Sequence, residues 1–550
     1  RRARRGIGSG RPTAGRGSDA EGVDMSGRFF NRILGMVLAG AGWAHAADQA
    51  RPDATEYLPR DAVAVIRLHD VPRMLGRFSG TPYARLLDTG WGKLGRELLD
   101  HALAKPGIDG GRVLGALREV TAGIAVDPSR LGLPGFADVG VALDTAGDDL
   151  PIRRLCGALF PVDAPLEPDM HAWAGFTGQV TRLGSRYVFR TATGVGPMLA
   201  PRTEGARLTA AFPEDCIEAE LHPVAFARVL TALGQPGIAG VETPTISLAV
   251  RLDAIGVRER VVVPFPAGQA VALGGLAWPV APRERFAGLP ATTLSALVMR
   301  ADPALTARGI AAMNLSGNPA LAYLDQLLDR HLLPGWSELA TAIDGDVIAW
   351  IEEGTPFPHA SCVIGLRAAV AARVLATLQA RVGMVVNADG SRTGIWGMIA
   401  LHADYRDGRL LLTTNPAGIA ASLLRPGGFT AHAEIQAALG EIPPDALIAG
   451  VSRSGAAWGA LGHLLMLPLS QLNLPELMSL PQDLRQAGRH GFLAYRLHHG
   501  RMVLDSGGLL GGPCCLYGLI AGVCIGGALL LGDQPAAAAP ATTGANGLVF

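Results

Sequence analysis

The chain has 550 residues, of which 49% are hydrophobic and 17% charged, too apolar for a disordered protein and too mixed for a polytopic membrane protein. Its 48 basic residues cancel 48 acidic ones, so there is no global field of the kind that recruits nucleic acid or an anionic surface. The length exceeds what one hydrophobic core usually organises, and two domains of about 200 residues each are expected.

Residues 1–24 are rich in Arg and Gly and precede Met25, where an export signal begins. They read as a disordered leader, an overextended start. Arg28 and Arg32 form a basic region, Ile33 to Gly42 a short apolar run, and Ala44-His45-Ala46 a small-x-small cleavage site before Ala47. Residues 25–46 are therefore expected to be a signal peptide, because the apolar run is too short to span a bilayer. The pairs Arg1-Arg2 and Arg4-Arg5 lie too far from that run for a twin-arginine signal.

The body reads as two related copies, residues 55–280 and 287–510, and an internal repeat has to be sought before any motif because missing one miscasts the fold. Tyr57-Leu58-Pro59-Arg60-Asp61 leads into an alternating strand at Ala62 to Leu68, as Gly288-Leu289-Pro290-Ala291-Thr292 leads into Leu294 to Arg300. Predicted strands at Thr121 to Val126 and Val139 to Leu143 match Asp346 to Ile351 and Ser361 to Leu366. Tyr187 to Thr193 matches Arg409 to Thr414. Asp215 to Ala219 runs into a predicted helix at Ala225 to Leu233, as Asp445 to Ala449 runs into Ala456 to Leu467. The pair Ile246 to Leu252 and Val257 to Val263 matches Phe492 to Leu497 and Arg501 to Leu504.

Six matches in one order point to tandem duplication, with a boundary near Ala281 to Gly288. Strands in sequential pairs, tight turns such as Arg406-Asp407-Gly408 and interleaved helices predict an α+β class with largely antiparallel sheets and amphipathic helices. The clearest helical stripe is Leu321, Leu324, Leu327 and Leu328 on Pro319 to Leu333, which reads as core.

Ser506 to Gly532 contains no charged residue, and Cys514 to Leu531 is long and apolar enough to cross a bilayer, so a transmembrane helix is expected at 511–532. Gly518, Gly522 and Gly526 form a small-residue stripe that suits a homodimer of membrane helices. The Ala/Pro/Thr/Gly-rich tail 533–550 reads as disordered. Export places the body outside the cytoplasm and the tail inside, although the tail has no Lys or Arg to act as a positive-inside signal.

The signal peptide, the repeats opening on Leu58, Pro59 and Asp61, the looser echo at Pro443, Pro444 and Asp445, and the C-terminal anchor together resemble a set of uncharacterised exported bacterial envelope proteins, a domain-of-unknown-function family. In the second copy Thr292 stands where Asp is expected. The resemblance implies an envelope location and assigns no activity and no functional residue.

Chemistry-bearing patterns are weak. Gly450-Val451-Ser452-Arg453-Ser454 departs from G-x-S-x-G at its last position. His490, His498 and His499 sit on or beside a terminal hairpin, where adjacent strand residues face opposite ways and suit one metal badly. Glu352 and Glu353 close a strand and read as solvated charge. Gly194-Val195-Gly196-Pro197 lacks an amide that a phosphate loop needs. Cys156, Cys216 and Cys362 cannot all pair within one chain and read as small buried side chains.

No catalytic, cofactor-binding or metal-ligating residue is thus assigned, and no cofactor. The sequence favours a membrane-anchored envelope protein with a structural or binding role toward a protein, glycan or lipid. A carrier or chaperone for apolar cargo, which would need a cavity of several hundred Å³, is the second reading. An exported enzyme with an unrecognised site is the third.

Overall fold

A computed structural model describes the chain between Leu58 and Leu509, apart from short gaps and the stretches 90–111, 127–136, 160–169, 192–216, 229–244, 314–324, 418–427 and 470–478. The leader, the predicted signal peptide, the predicted anchor with its glycine stripe, and the tail lie outside these residues, as do most of the predicted helices at 225–233 and 319–333. Among the described residues no helix is long and apolar enough to cross a membrane.

The class is sheet-rich α+β, and every described strand pairing is antiparallel within one sheet of 19 strands. The first nine are β1 (Ala64–Leu68), β2 (Leu117–Val126), β3 (Ala137–Thr145), β4 (Met170–Trp173), β5 (Phe176–Leu183), β6 (Arg186–Thr191), β7 (Ile217–Leu221), β8 (Ile246–Asp253) and β9 (Gly256–Pro264). The next five are β10 (Thr293–Ala301), β11 (Ile343–Glu352), β12 (His359–Leu366), β13 (Val385–Val386) and β14 (Arg392–Trp396). The last five are β15 (Ile399–Arg406), β16 (Arg409–Thr413), β17 (Ile448–Ser452), β18 (Gly491–His498) and β19 (Arg501–Gly508).

In space the first nine run β4-β5-β6-β3-β2-β1-β7-β8-β9. The remainder run β13-β14-β15-β16-β12-β11-β10-β17-β18-β19. Apart from the two-residue β13, each strand of the first group has a counterpart with the same neighbours in the second. The groups meet where β9 pairs with β19, from Arg501 opposite Pro264 to Gly508 opposite Val257.

The Leu-Pro openings acquire a physical reason. Proline fixes φ in a turn, and its carbonyl accepts from the amide three residues on, in Ala62 to Pro59 (3.2 Å), Thr293 to Pro290 (3.0 Å) and Ala446 to Pro443 (3.2 Å). The apolar residue before each proline, Leu58, Leu289 or Ile442, is buried. Arg406-Asp407-Gly408 closes β15 on β16 with a two-residue loop in which both Asp407 and Gly408 have positive φ, the geometry that matches strand twist.

Helices cover the sheet. In the first group α1 (Val71–Phe78) follows β1, α2 (Pro82–Leu86) comes next, and α3 (Leu150–Leu159) follows β3. Val71, Met74 and Ile152 pack with Leu68, Val120, Tyr187 and Phe189. Between the groups lie α4 (Ala267–Gly274) and a 3-10 turn at Arg283–Gly288. The second group adds α5 (Pro303–Ala312), α6 (Trp336–Ala342), α7 (Ala368–Val382), α8 (Ala433–Glu441), α9 (Ser454–Leu469) and α10 (Leu480–Ala487).

α1 and α5 stand in the same place after the first strand of each group. Each is capped by an aspartate: Asp70 accepts from Arg73 N (3.3 Å), and Asp302 from Ala304 N (2.8 Å) and Leu305 N (3.1 Å). Segment 281–288, expected as a boundary, is no loose linker. Ala281, Phe286 and Leu289 are buried in the same cluster as Trp350, Phe429, Ile435 and Phe492.

A second contact ties the groups together. Tyr83 of α2 donates to the Leu509 carbonyl, Arg85 donates to Ala487 O at 3.3 Å, and Leu86 packs with Leu484, Ala487 and Leu509. The Leu509 amide in turn donates to Ser454 Oγ at 2.9 Å. α9 and α10 approach so closely that a Cβ on Gly455 would lie 2.6 Å from the Arg485 carbonyl oxygen and 2.7 Å from that of Gly488. Gly455→Val is therefore expected to cost about 1–3 kcal/mol, since backbone cannot yield as a side-chain tip can. A denaturant midpoint lower than wild type, at unchanged m-value, is the result that checks it.

Candidate functional site

Among the described residues, those singled out in the sequence do not assemble into one site. Ser452 and Ser454 are buried, and Ser454 Oγ is occupied by the Leu509 amide, so this strand-to-helix turn is structural. Glu352, expected to be solvated, is instead 5% exposed and accepts from the Trp350 indole N–H at 2.6 Å, because its strand end is tucked under the core; Glu353 is the solvated one, beside Arg453 and Arg485. His490 and His498 lie apart, before and at the end of β18, and His499 and Gly194 to Pro197 fall outside the described residues. Cys362 is half-buried on β12 and burial pushes its thiol up to about 11, which makes it a poor nucleophile; Cys216 and the side chain of Cys156 lie outside the described residues.

Among the described residues, no group of three or more His, Cys, Asp or Glu is placed to hold a metal ion. Three other constellations were not legible beforehand, since each is assembled across strands.

At the β9–β19 seam, Arg258 donates to both Glu441 oxygens (2.7 and 3.0 Å), pairs with Asp253, and lies over the Phe492 ring at 5.4 Å. Arg260 pairs with Asp505, which Arg496 also holds at 2.7 Å, and Ser506 donates to Glu259 at 2.8 Å. The Arg258 hydrogen bond holds the Glu441 carboxyl below its ordinary range against burial, and Glu441 in return raises Arg258. His490 is pushed down by burial, and its Nε2 has no partner among the described residues. The seam is thus a network of paired charged side chains that ties β9, β19 and α8 together.

The second is a polar strip on the first group. Glu218 lies opposite Arg67 across β1–β7, and Glu220 opposite Val65. His69 Nε2 is 2.8 Å from Glu218 and His222 Nε2 is 3.7 Å from Glu220, while Arg67 pairs with Glu119 at 3.8 Å. Burial would raise Glu218, but the His69 hydrogen bond and the His69 and Arg67 charges hold it below its ordinary range. At the corresponding register of the second group, β10–β17, Val298 faces Ala449 and Ala296 faces Val451. There the face is sealed beneath α8 and the Phe286 turn.

The third is a cavity of about 150 Å³ between α4, α5 and the ends of β10, β17 and β18, walled by Phe265, Leu273, Trp278, Met299, Ile448 and Tyr495 among others. It is smaller than the several hundred Å³ an apolar carrier would need.

Comparisons with protein families, with curated proteins and with solved structures gave no match.

Glu441→Gln is expected to lower stability by about 1–3 kcal/mol, discounted from a fully buried pair because both partners retain some solvent contact. The wild-type contribution is present above the ordinary carboxylate pKa and is lost as pH falls through the lowered value. His490, held neutral, adds loss of stability as pH falls below the ordinary imidazole range. Denaturation midpoints of wild type and variant at pH values from neutral to about 4 check this: the two curves converge toward acid if the account holds.

Proposed function

We propose that the chain is an exported, membrane-anchored envelope protein whose body, derived from a tandem duplication, binds an envelope partner through the polar strip of its first copy. The matching strand neighbours, the proline turns and the paired aspartate caps support duplication. The signal sequence, the anchor and the resemblance to exported envelope proteins support the location. The carrying observation for the binding face is the contrast at equal register, where Arg67, Glu218 and Glu220 replace Val298, Ala449 and Val451.

Half-buried ion pairs stabilise a sheet less than packed apolar residues do. A face that keeps them suits reversible contact with a charged or hydroxyl-bearing partner, because it stays wetted when alone and offers both signs of charge when bound. In this reading the anchor starts only a few residues after Leu509, whose backbone is held by Tyr83 and Ser454. The body therefore sits close to the membrane surface with little freedom to swing.

Expression from Met25 with a C-terminal tag, followed by fractionation and N-terminal sequencing, tests the location. A mature N-terminus at Ala47 and membrane retention lost on deleting residues 511–550 are expected; a soluble chain with an intact N-terminus contradicts it. A photo-crosslinker at Glu220 in intact cells is expected to give a discrete adduct that one at Val271, 79% exposed on α4, does not. Equal labelling at both positions, or none, overturns the binding face.

A further inference from the structure

Beyond partner binding, we infer that the cavity between α4, α5 and the β10–β17–β18 edge is a specific site for a neutral, single-ring aromatic molecule bearing a carbonyl or ether oxygen. Its size sets the first limit: about 150 Å³ is the volume of a cavity known to take one benzene ring. A fatty chain or a sterol does not fit.

The lining sets the second limit. Phe265, Trp278 and Tyr495 contribute rings, and Met299 and Met313 contribute polarizable thioethers that favour contact with an aromatic edge.

Two polar groups set the third. The Trp278 indole N–H is buried and has no acceptor among the described residues, and Tyr495, which carries a hydroxyl, lines the same cavity. Buried donors are normally satisfied, and an orphan costs stability that an acceptor on a ligand recovers. The indole N–H can only donate and the Tyr495 hydroxyl can donate as well, so the atom that complements both is an acceptor. Tyr495 is raised above the ordinary phenol range by burial, which keeps its proton in place.

Charge sets the fourth. The ionic groups at the rim are already engaged: Arg300 is held by Asp346 at 2.6 Å and lies near Glu284 at 3.6 Å, and Asp302 caps α5. An anionic or cationic ligand would lose its hydration without gaining a counterion.

The cavity is also built from three parts of the chain. Trp278 belongs to the segment joining the two groups and stacks against α5, where a Cβ on Gly309 would lie 2.6 Å from the ring. Ligand binding would thus clamp the connecting segment onto the second copy.

The test uses the full chain in lipid nanodiscs, with empty nanodiscs as background, and ligand-observed NMR of acetophenone, ethylbenzene and benzoate. Acetophenone is expected to bind saturably, about five- to tenfold tighter than ethylbenzene, which lacks the acceptor. Benzoate is expected not to bind. Tyr495→Phe is expected to remove most of that preference without altering the fold, and Ile448→Phe to fill the cavity and abolish binding while the melting temperature is kept or raised. Equal affinity for acetophenone and ethylbenzene, binding that survives Ile448→Phe, or no saturable binding at all overturns the proposal. None of these outcomes bears on export or on the Glu220 adduct, so the two readings fail separately.

Discussion

The antiparallel pairing of β9 with β19 is the constraint on which the rest depends. Without it each strand group would present an edge of unpaired amides and carbonyls, a liability for aggregation. With it, one ladder of hydrogen bonds continues from β4 to β13, and the charged residues along the seam need to be neutralised where they are. Arg258 and Arg260 project from β9, Asp505 from β19, and Glu441 reaches them from α8, so the ion pairs stitch the ladder to the helix that covers the second core. The same closure brings α2 onto α10 and fixes Leu509 at the point where the chain leaves the sheet.

This arrangement gives the two groups unequal faces. In the second, α8 and the 3-10 turns at Arg283–Gly288 and Phe429–Ala431 bury Val298, Ala449 and Val451. In the first, the corresponding positions carry charge: Arg67 pairs with Glu119, and Glu218 lies against His69. Among the described residues the second group thus supplies more of the cohesive core, while the corresponding register of the first carries half-buried charged side chains. The cavity beside Trp278 sits where the segment between the two groups packs against the second.

Much of the fold was legible because strand alternation and turn chemistry are local. Ile246 to Leu252 and Val257 to Val263 fall inside β8 and β9, and Asp407-Gly408 forms the expected tight turn. The proline turns were legible as a repeated signature, and the structure supplies their cause. What was not legible is non-local. Glu352 reads as a strand-end charge, yet it is buried because Trp350 supplies a donor two residues away, a contact decided by how the core closes over the strand end. Nothing in the alternation of β9 and β19 announces that they pair across some 240 residues. The candidate sites share this property, since Arg67 lies opposite Glu218 only through the sheet order, and Trp278 and Tyr495 line one cavity from distant parts of the chain.

Native-state hydrogen exchange, read by mass spectrometry on peptides covering residues 257–263 and 502–508, tests the central claim that the seam makes the two groups one cooperative body. Both peptides are predicted to be strongly protected and to lose protection together, with the same opening free energy, as denaturant is added. Early exchange in residues 257–263 while 502–508 remain protected would contradict it and leave two independent domains.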